Sequence, residues 1–159
     1  MITKFFCLIG KIVNDSMGRF VADSAIKKMI AVGQAPKKSK VVVLGLTFKE
    51  NCPDTRNSKV EDIIKRLAEY EINPLVVDPW ASERDAMHEY GVTLTKFEDI
   101  KDADCIIVAV AHNEFKELSL DEIKKLYKKS ADSEKVLIDV KGLYSVNELE
   151  DAGFTYWRL

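Results

Sequence analysis

The chain has 159 residues, 47% of them hydrophobic and 31% charged, and its formal net charge is −2 at pH 7. This length is enough for one domain with a substantial core and excludes two domains of typical size. The small net charge gives no reason to expect a nucleic acid or an anionic membrane as a partner, and no apolar run approaches the ~20 residues of a membrane span.

The three cysteines, Cys7, Cys52 and Cys105, have no C-x-x-C spacing and leave one thiol unpaired. This count argues against a disulfide framework and a zinc site, and it favours a reducing compartment. We therefore expect a cytoplasmic protein. Cys105 lies in an apolar run and is predicted to be a core residue, and none of the three has the setting of a nucleophile.

The N-terminal region is predicted to form a helical arm over residues 14–32. Asn14 or Asp15 is a good N-cap, apolar residues then recur at helical spacing, and Gly33 is a typical C-terminal stop. We expect this helix to lie outside the main domain. Its apolar face then packs either on that domain or on something absent from the chain.

From residue 40 the sequence alternates between apolar runs and amphipathic segments. Strands are predicted at residues 41–46, 74–77, 105–110 and 136–140, with a short one at 91–94. Helices are predicted at residues 58–70, 82–90, 120–129 and 146–151, with a helical turn at 97–101. This alternation predicts an α/β fold with a doubly wound, mostly parallel, Rossmann-like sheet and right-handed crossovers. We assign residues 1–39 to the arm and linker and residues 40–159 to the α/β domain.

Five helix starts match the capping-box spacing, in which a serine or threonine is followed three residues later by an acidic residue. The pairs are Ser58 and Glu61, Ser82 and Asp85, Thr95 and Glu98, Ser119 and Glu122, and Ser145 and Glu148. Because all five fall where the periodicity already predicts a helix, they support one another.

The loop after the first strand carries Lys49 and Arg56, at the sheet edge where open α/β sheets bind ligands. Lys49 is either a point charge for a phosphate or sugar oxygen or a solvated lysine. Arg56 either binds a phosphate bidentately or pairs with Asp54 or Glu50 to fix the loop, and we favour the pairing. The loop has one glycine, Gly45, and therefore neither a Gly-x-Gly-x-x-Gly cradle nor a Walker lysine loop.

Three further polar residues follow predicted strands. His112 is a candidate contact to a ligand or a neighbouring domain, or a helix-entry histidine. Lys141 precedes Gly142, which would let a ligand approach the backbone. Asp78 ends the second strand, where dinucleotide folds place a ribose-binding acid, but without the glycines Asp78-Pro79 is better interpreted as a turn.

Four segments together resemble a known family. They are residues 45–58 (Gly-Leu-Thr-Phe-Lys-Glu-Asn-Cys-Pro-Asp-Thr-Arg-Asn-Ser), 77–80 (Val-Asp-Pro-Trp), 109–115 (Ala-Val-Ala-His-Asn-Glu-Phe) and 139–142 (Asp-Val-Lys-Gly). They are similar to the C-terminal domain of the UDP-glucose/GDP-mannose dehydrogenase family. The sequences of these segments are most similar to those of the bacterial branch that oxidises UDP-N-acetylglucosamine or UDP-N-acetylgalactosamine to the uronic acid for surface polysaccharide such as capsule. Residues 14–20 look like the end of the central helical domain.

The resemblance implies a function and a site. In this family an N-terminal Rossmann domain binds NAD, a central helical domain dimerises, and a cysteine takes part in the four-electron oxidation of the sugar C6 hydroxyl. The C-terminal domain closes over the UDP part of the substrate, so UDP-sugar is the expected ligand. By this resemblance Phe48 and Lys49 match the substrate-contacting pair, and Lys141 falls where many relatives have a substrate-contacting arginine. Arg56 matches a motif arginine.

The family's catalytic parts are not found in this sequence, which shows neither the dinucleotide fingerprint nor the glycine-pair cysteine. We therefore expect the chain to bind no cofactor and not to catalyse alone. Three hypotheses stay open. The chain is the UDP-sugar-binding part of an NAD-dependent 6-dehydrogenase that needs a missing N-terminal part, or a non-enzymatic module or pseudoenzyme that forms a homodimer through its arm. The third is a mononucleotide-binding regulatory domain.

Overall fold

The computed structural model describes the backbone of residues 2–159 and the side chains from Ser16 onward. The predictions that concern the side chains of Cys7, Asn14 and Asp15 lie outside the described residues. The strands are β1 (Val41–Leu44), β2 (Leu75–Val77), β3 (Cys105–Val108), β4 (Val136–Asp139) and β5 (Thr155–Arg158). The helices are α1 (Ile2–Ala31), α2 (Val60–Glu69), α3 (Glu83–Tyr90), α4 (Asn113–Lys116), α5 (Leu120–Lys125) and α6 (Val146–Asp151).

The five strands form one parallel sheet in the order β2-β1-β3-β4-β5. In the centre, Val43 lies opposite Val76 of β2 and Ile107 of β3. This order is one of the common doubly wound arrangements, and its strand order reverses between β1 and β3. The predicted fold class is confirmed.

Helices cover both faces of the sheet, which explains the unbroken apolar runs of the central strands. Val41 and Val43 point to the face that is covered by α1, α2 and Ala86 of α3. Val42 and Leu44 point to the opposite face, covered by α4, α5 and α6. Among the described residues, no helix has the length and apolarity that crossing a membrane requires.

The second half of α1 is part of this core. Val21, Ala25 and Met29 are buried, and the helix packs on α2, β4 and β5. The expectation that the arm lies outside the main domain is therefore wrong for this half, and the alternative in which its apolar face packs on the domain is confirmed. The predicted helix start at residue 14 or 15 is also wrong, because α1 begins at Ile2. The interpretation of residues 1–39 as the end of a separate dimerisation domain stays a prediction.

Other boundaries differ where the sheet meets its loops. The strands β1 and β3 end two residues earlier than predicted, because the chain turns at Gly45 (φ 98°) and, after β3, at residues 109–110. The predicted strand at 91–94 is reduced to a single bridge between Val76 and Leu94. Neither β5 nor the one-turn helix α4 was predicted.

Two of the five predicted capping boxes form completely, at Ser119 and Ser145. At Ser82 only the serine accepts, from the N–H of Asp85. At Ser58 the hydroxyl accepts from the N–H of Val60 instead, at 3.2 Å, and Thr95 precedes a short 3-10 turn whose N-cap is Lys96.

Candidate functional site

The carboxyl edge of the sheet brings together the loops after β1, β2, β3 and β4. The loop after β1 starts at Gly45, whose N–H donates to the Val77 carbonyl at 2.7 Å. A Cβ on Gly45 would collide with Val110 after β3, so only glycine allows these two loops to approach so closely.

A buried carboxylate, Asp78, ties the edge together. One oxygen accepts from the N–H groups of Leu46 (2.6 Å) and Thr47 (2.9 Å) and lies 3.0 Å from Nε2 of His112. The other accepts from the N–H groups of Trp80 (2.8 Å) and Ala81 (2.9 Å), which confirms the predicted turn. Burial alone would raise the pKa of Asp78, but these donors prevail and lower it to about 2.

The ring of His112 is held by three neighbours and is fully buried. Its Nδ1 lies 3.0 Å from the backbone nitrogen of Asn51, which can only donate, so Nδ1 is the acceptor. Nε2 therefore carries the proton in the neutral ring and faces Asp78 and, at 3.1 Å, the Thr47 hydroxyl. His112 is also the N-cap residue of α4, so the helix-entry interpretation is confirmed and the ring fixes the β1 loop.

The same loop is held at two further points. The Phe48 N–H donates to the Asp54 carbonyl at 2.8 Å, and the Thr47 hydroxyl donates to the Lys49 carbonyl at 3.1 Å. The Tyr90 hydroxyl, from α3, accepts from the Ser58 N–H at 3.2 Å and donates to the Thr55 carbonyl. The backbone that carries the predicted site residues is therefore pre-organised.

The predicted pair Phe48 and Lys49 protrudes from this fixed loop. Phe48 is 56% exposed, which is unusual for a phenylalanine, and Lys49 is exposed beside it. Arg56, by contrast, turns back and binds Asp54 with two hydrogen bonds of 2.9 and 3.0 Å. The pairing that we favoured for Arg56 is confirmed. The hydrogen bonds from Arg56 lower the pKa of the Asp54 carboxyl, and the positive charge of Lys49 lowers it further by a smaller amount.

Lys141 follows β4 at the same edge of the sheet. The pKa of the Glu50 carboxyl is lowered, first by the backbone N–H of Glu50 itself and then by the charges of Lys116 and Lys141. Both lysines are exposed. The structure thus brings Lys49 and Lys141 to one edge, with Lys116 of α4 as a third cation that the sequence analysis missed. That these residues bind a ligand stays a prediction.

Arg158 is a second residue that was missed. It ends β5, opposite Asp139, and its Nη2 lies 2.5 Å from the point where a Cβ of Gly142 would stand. The only signal for it in the sequence was its place at the end of the last apolar segment, which we did not assign to a strand.

The described residues do not fit a dinucleotide cofactor. The first strand is followed by a single glycine, and both oxygens of Asp78, at the usual ribose-binding position, are fully used within the protein. In the part of the chain that the structure describes, no cluster of three or more acidic, histidine or cysteine residues could hold a metal ion. Burial raises the pKa of the Cys105 thiol, which confirms this residue as an inert core cysteine.

A cavity of about 630 Å³ lies beside β2 and contains none of the predicted site residues. Its lining includes Phe97 and Phe115 together with the charged residues Glu83, Lys96, Glu98 and Glu114. Because three carboxylates would repel an anionic ligand, this cavity is unsuited to phosphate.

Comparisons with known proteins identify the family of the chain. Residues 42–146 match the family model described as the UDP binding domain of the UDP-glucose/GDP-mannose dehydrogenase family. The chain is 47% identical over 136 residues to the UDP-N-acetyl-D-glucosamine 6-dehydrogenase of Pseudomonas aeruginosa, covering 86% of this chain and 31% of that protein. It is 38% identical over 134 residues to the enzyme of the same name from Salmonella typhi, covering 84% and 31%.

Among solved structures, the NDP-N-acetyl-D-galactosaminuronic acid dehydrogenase of Methanosarcina mazei Go1 superimposes with a TM-score of 0.83 at 25% identity. The match covers 95% of this chain and 30% of that one. The chain therefore spans about a third of the length of these relatives. The chain belongs to the UDP-glucose/GDP-mannose dehydrogenase family, of which it comprises the UDP-binding domain.

Proposed function

We propose that this chain binds the UDP part of a UDP-sugar as one portion of an NAD-dependent UDP-sugar 6-dehydrogenase. The oxidoreductase as a whole would convert a UDP-N-acetylhexosamine to its uronic acid for surface polysaccharide. The observation that carries the proposal is the exposed row of cations at the carboxyl edge, next to a β1 loop that Asp78 and His112 hold rigid. In open α/β sheets this edge is where ligands bind.

Each predicted site residue has a distinct role in this proposal. Lys49 places a point charge for the diphosphate, and the exposed ring of Phe48 packs on the ligand. Lys141 adds a second charge from β4. Arg56 supports the loop through Asp54 and would contact the ligand only after leaving that carboxylate.

The oxidation itself belongs to the remainder of a full-length dehydrogenase. NAD, when bound there, would accept hydride from the sugar C6. In this chain Asp78 is used internally and leaves no ribose site of the dinucleotide type, and the thiol of Cys105 is buried in the core. This chain would supply one wall of the substrate cleft. Since Cys52 and Cys105 are free thiols, we propose the cytoplasm as its compartment.

The experiment is a titration of the isolated chain with UDP, followed by ¹H–¹⁵N NMR. We expect shifts at residues 46–52 and 140–143, with a Kd of order 1 mM because only one wall of the cleft is present. Lys49→Ala should weaken binding, whereas Lys38→Ala, which removes an exposed cation before the amino end of β1, should not. Absence of any UDP-dependent shift in the wild type, or equal affinity in Lys49→Ala, would contradict the proposal.

A second candidate function is a non-enzymatic module that pairs through α1. The observation in its favour is that Phe20 and Ile30 of α1 are 52% and 59% exposed. Light scattering would decide between them: a dimer that becomes monomeric in Ile30→Glu, together with no response to UDP, favours the module. A monomer that binds UDP favours the dehydrogenase portion.

A further inference from the structure

We infer that Arg158 is a further anion-binding residue of this site and acts beside Lys141 on the phosphate oxygens of the ligand. The inference rests on the proposed UDP-sugar binding and adds a residue that lies outside the matched family segment, which ends at residue 146. The observation behind it is the position of the Arg158 guanidinium against the backbone of Gly142.

The parallel register of β4 and β5 sets Arg158 at the sheet edge. Asp139, the last residue of β4, lies opposite Arg158, so the turn after Asp139 lies next to the arginine side chain. Nη2, Cζ and Nε of Arg158 lie 2.5, 3.4 and 3.7 Å from the point where a Cβ of Gly142 would stand. The guanidinium therefore rests on the bare backbone of Gly142, whose φ of 64° also favours glycine.

The turn beneath the guanidinium is fixed. One carboxylate oxygen of Asp139 accepts from the Tyr144 N–H at 3.0 Å, and the Asp139 carbonyl accepts from the Leu159 N–H at 3.3 Å. These bonds close the turn from both sides. A cation held on a rigid turn loses less conformational entropy on binding than one on a free side chain.

The charge of Arg158 is available. In the described residues no ion pair joins it to a carboxylate, although Arg56 and Arg66 are both paired with acidic residues. Asp139 is fully buried, with Oδ2 accepting from the Tyr144 N–H and Oδ1 without a hydrogen-bond partner among the described residues, so neither oxygen pairs with Arg158. Glu150 accepts a hydrogen bond from the Tyr156 hydroxyl at 3.1 Å. The guanidinium is exposed at the same edge as Lys141.

The two cations complement each other chemically. Lysine offers a single point charge, whereas the planar guanidinium donates two parallel N–H bonds to a pair of phosphate oxygens. Adjacent strands lie about 4.8 Å apart, so charges that follow β4 and β5 can reach one diphosphate together. Uridine, which has no phosphate, would not use Arg158.

The test measures UDP, uridine and inorganic pyrophosphate binding to the isolated chain by NMR. Arg158→Ala should weaken UDP and pyrophosphate binding about tenfold and leave uridine unchanged, because a charge-assisted bidentate contact is lost. Arg158→Lys keeps the positive charge but not the bidentate geometry, so its affinity for UDP should lie between those of the wild type and Arg158→Ala. Gly142→Ala keeps Arg158 but displaces its guanidinium, so it should also weaken UDP, whereas the control Lys38→Ala should match the wild type.

The outcomes separate this inference from the proposed function. If Lys49→Ala weakens UDP binding but Arg158→Ala does not, the inference is overturned and the proposed function stands. If the wild type fails to bind UDP, both fall. An equal loss for uridine and UDP in Arg158→Ala would also overturn the inference, since the effect would not involve phosphate. If Arg158→Ala does not fold, the shift of the Arg158 Nε–H signal on addition of UDP to the wild type decides, and an unmoved signal refutes the contact.

Discussion

Replacing Asp78 with asparagine tests whether a buried charge organises the carboxyl edge. The carboxylate accepts from four backbone N–H groups and lies 3.0 Å from Nε2 of His112. Asparagine keeps one acceptor oxygen but places an NH₂ group where the second oxygen stood. That NH₂ group must then face either the donors of Trp80 and Ala81 or those of Leu46, Thr47 and His112.

The size of the effect follows from the pKa of Asp78, which falls from the ordinary 3.8 to about 2. This difference corresponds to about 2 kcal/mol of stability at pH 7, and donors left facing an NH₂ group add to it, so we expect a loss of about 2–4 kcal/mol. Because the pKa is lowered on folding, the charge stabilises the fold above pH ~4. About half of its contribution should be lost by pH 3, and the rest as the pH falls through about 2.

Urea unfolding followed by circular dichroism measures this loss. With a slope of about 2 kcal/mol/M, the Asp78→Asn midpoint should lie about 1–2 M below that of the wild type at pH 7, and the gap should narrow by about 0.5 M at pH 3. Asp99→Asn, at an exposed position, serves as the control. A midpoint within 0.3 M of the wild type at pH 7, or a gap of the same size at both pH values, would refute the reasoning (thresholds of order the fitting error).

Three further substitutions probe other parts of the fold. Met29→Ala should lower the free energy of unfolding by about 2–5 kcal/mol, because Met29 is fully buried. The neighbouring Ile30 is 59% exposed, so Ile30→Ala should lower it by no more than about 0.5 kcal/mol. Equal urea midpoints for the two variants would mean that α1 does not belong to the core. Gly45→Ala should lower the free energy of unfolding by about 3 kcal/mol or more, because the new Cβ would collide with Val110. Gly33 has a similar φ but open space around it, so Gly33→Ala should lower it by about 1 kcal/mol. The melting temperature of Gly45→Ala should therefore lie below that of Gly33→Ala, and equal melting temperatures would contradict the collision. Tyr90→Phe should cost about 1–2 kcal/mol by removing the hydroxyl shared by Ser58 and Thr55, and unchanged hydrogen exchange at Ser58 would argue against that role.

The parts of the fold that sequence predicted are those in which one local pattern decides the structure. The strands β1 and β3 are continuous apolar runs, which are typical of a strand covered on both faces. In contrast, β5 is an edge strand of Thr, Tyr, Trp and Arg that is only partly buried, so it has no such run. The start of α1 was misplaced because Asn14 and Asp15, which are good N-cap residues, lie inside the helix rather than at its beginning.

The candidate site could be predicted only where its residues follow a strand. Lys49 and Lys141 could be placed at this edge because position at a strand's carboxyl end is visible in the sequence, and their role as ligand contacts stays a prediction. The network of His112 was not, because its partners Thr47, Asn51 and Asp78 lie 65, 61 and 34 residues away. Arg158 depended on recognising β5, and its contact with Gly142 joins two strands whose register no local pattern specifies.

The charges of this edge fall into two groups with different physical roles. The buried Asp78 is fully occupied by donors of the protein, which fixes the loops but leaves no acceptor for a ligand hydroxyl. The exposed cations Lys49, Lys141 and Arg158 lie on or beside backbone that hydrogen bonds hold in place. The Thr47 N–H donates to Asp78 in the loop that carries Lys49, and the Tyr144 N–H donates to Asp139 in the turn that follows β4. An edge that has used its buried acid internally and presents cations outward is suited to an anion such as the diphosphate of the proposed ligand. Dinucleotide folds use an acid at this position for the ribose of the cofactor, so the internal use of Asp78 distinguishes this edge from a dinucleotide-binding one built on the same kind of sheet.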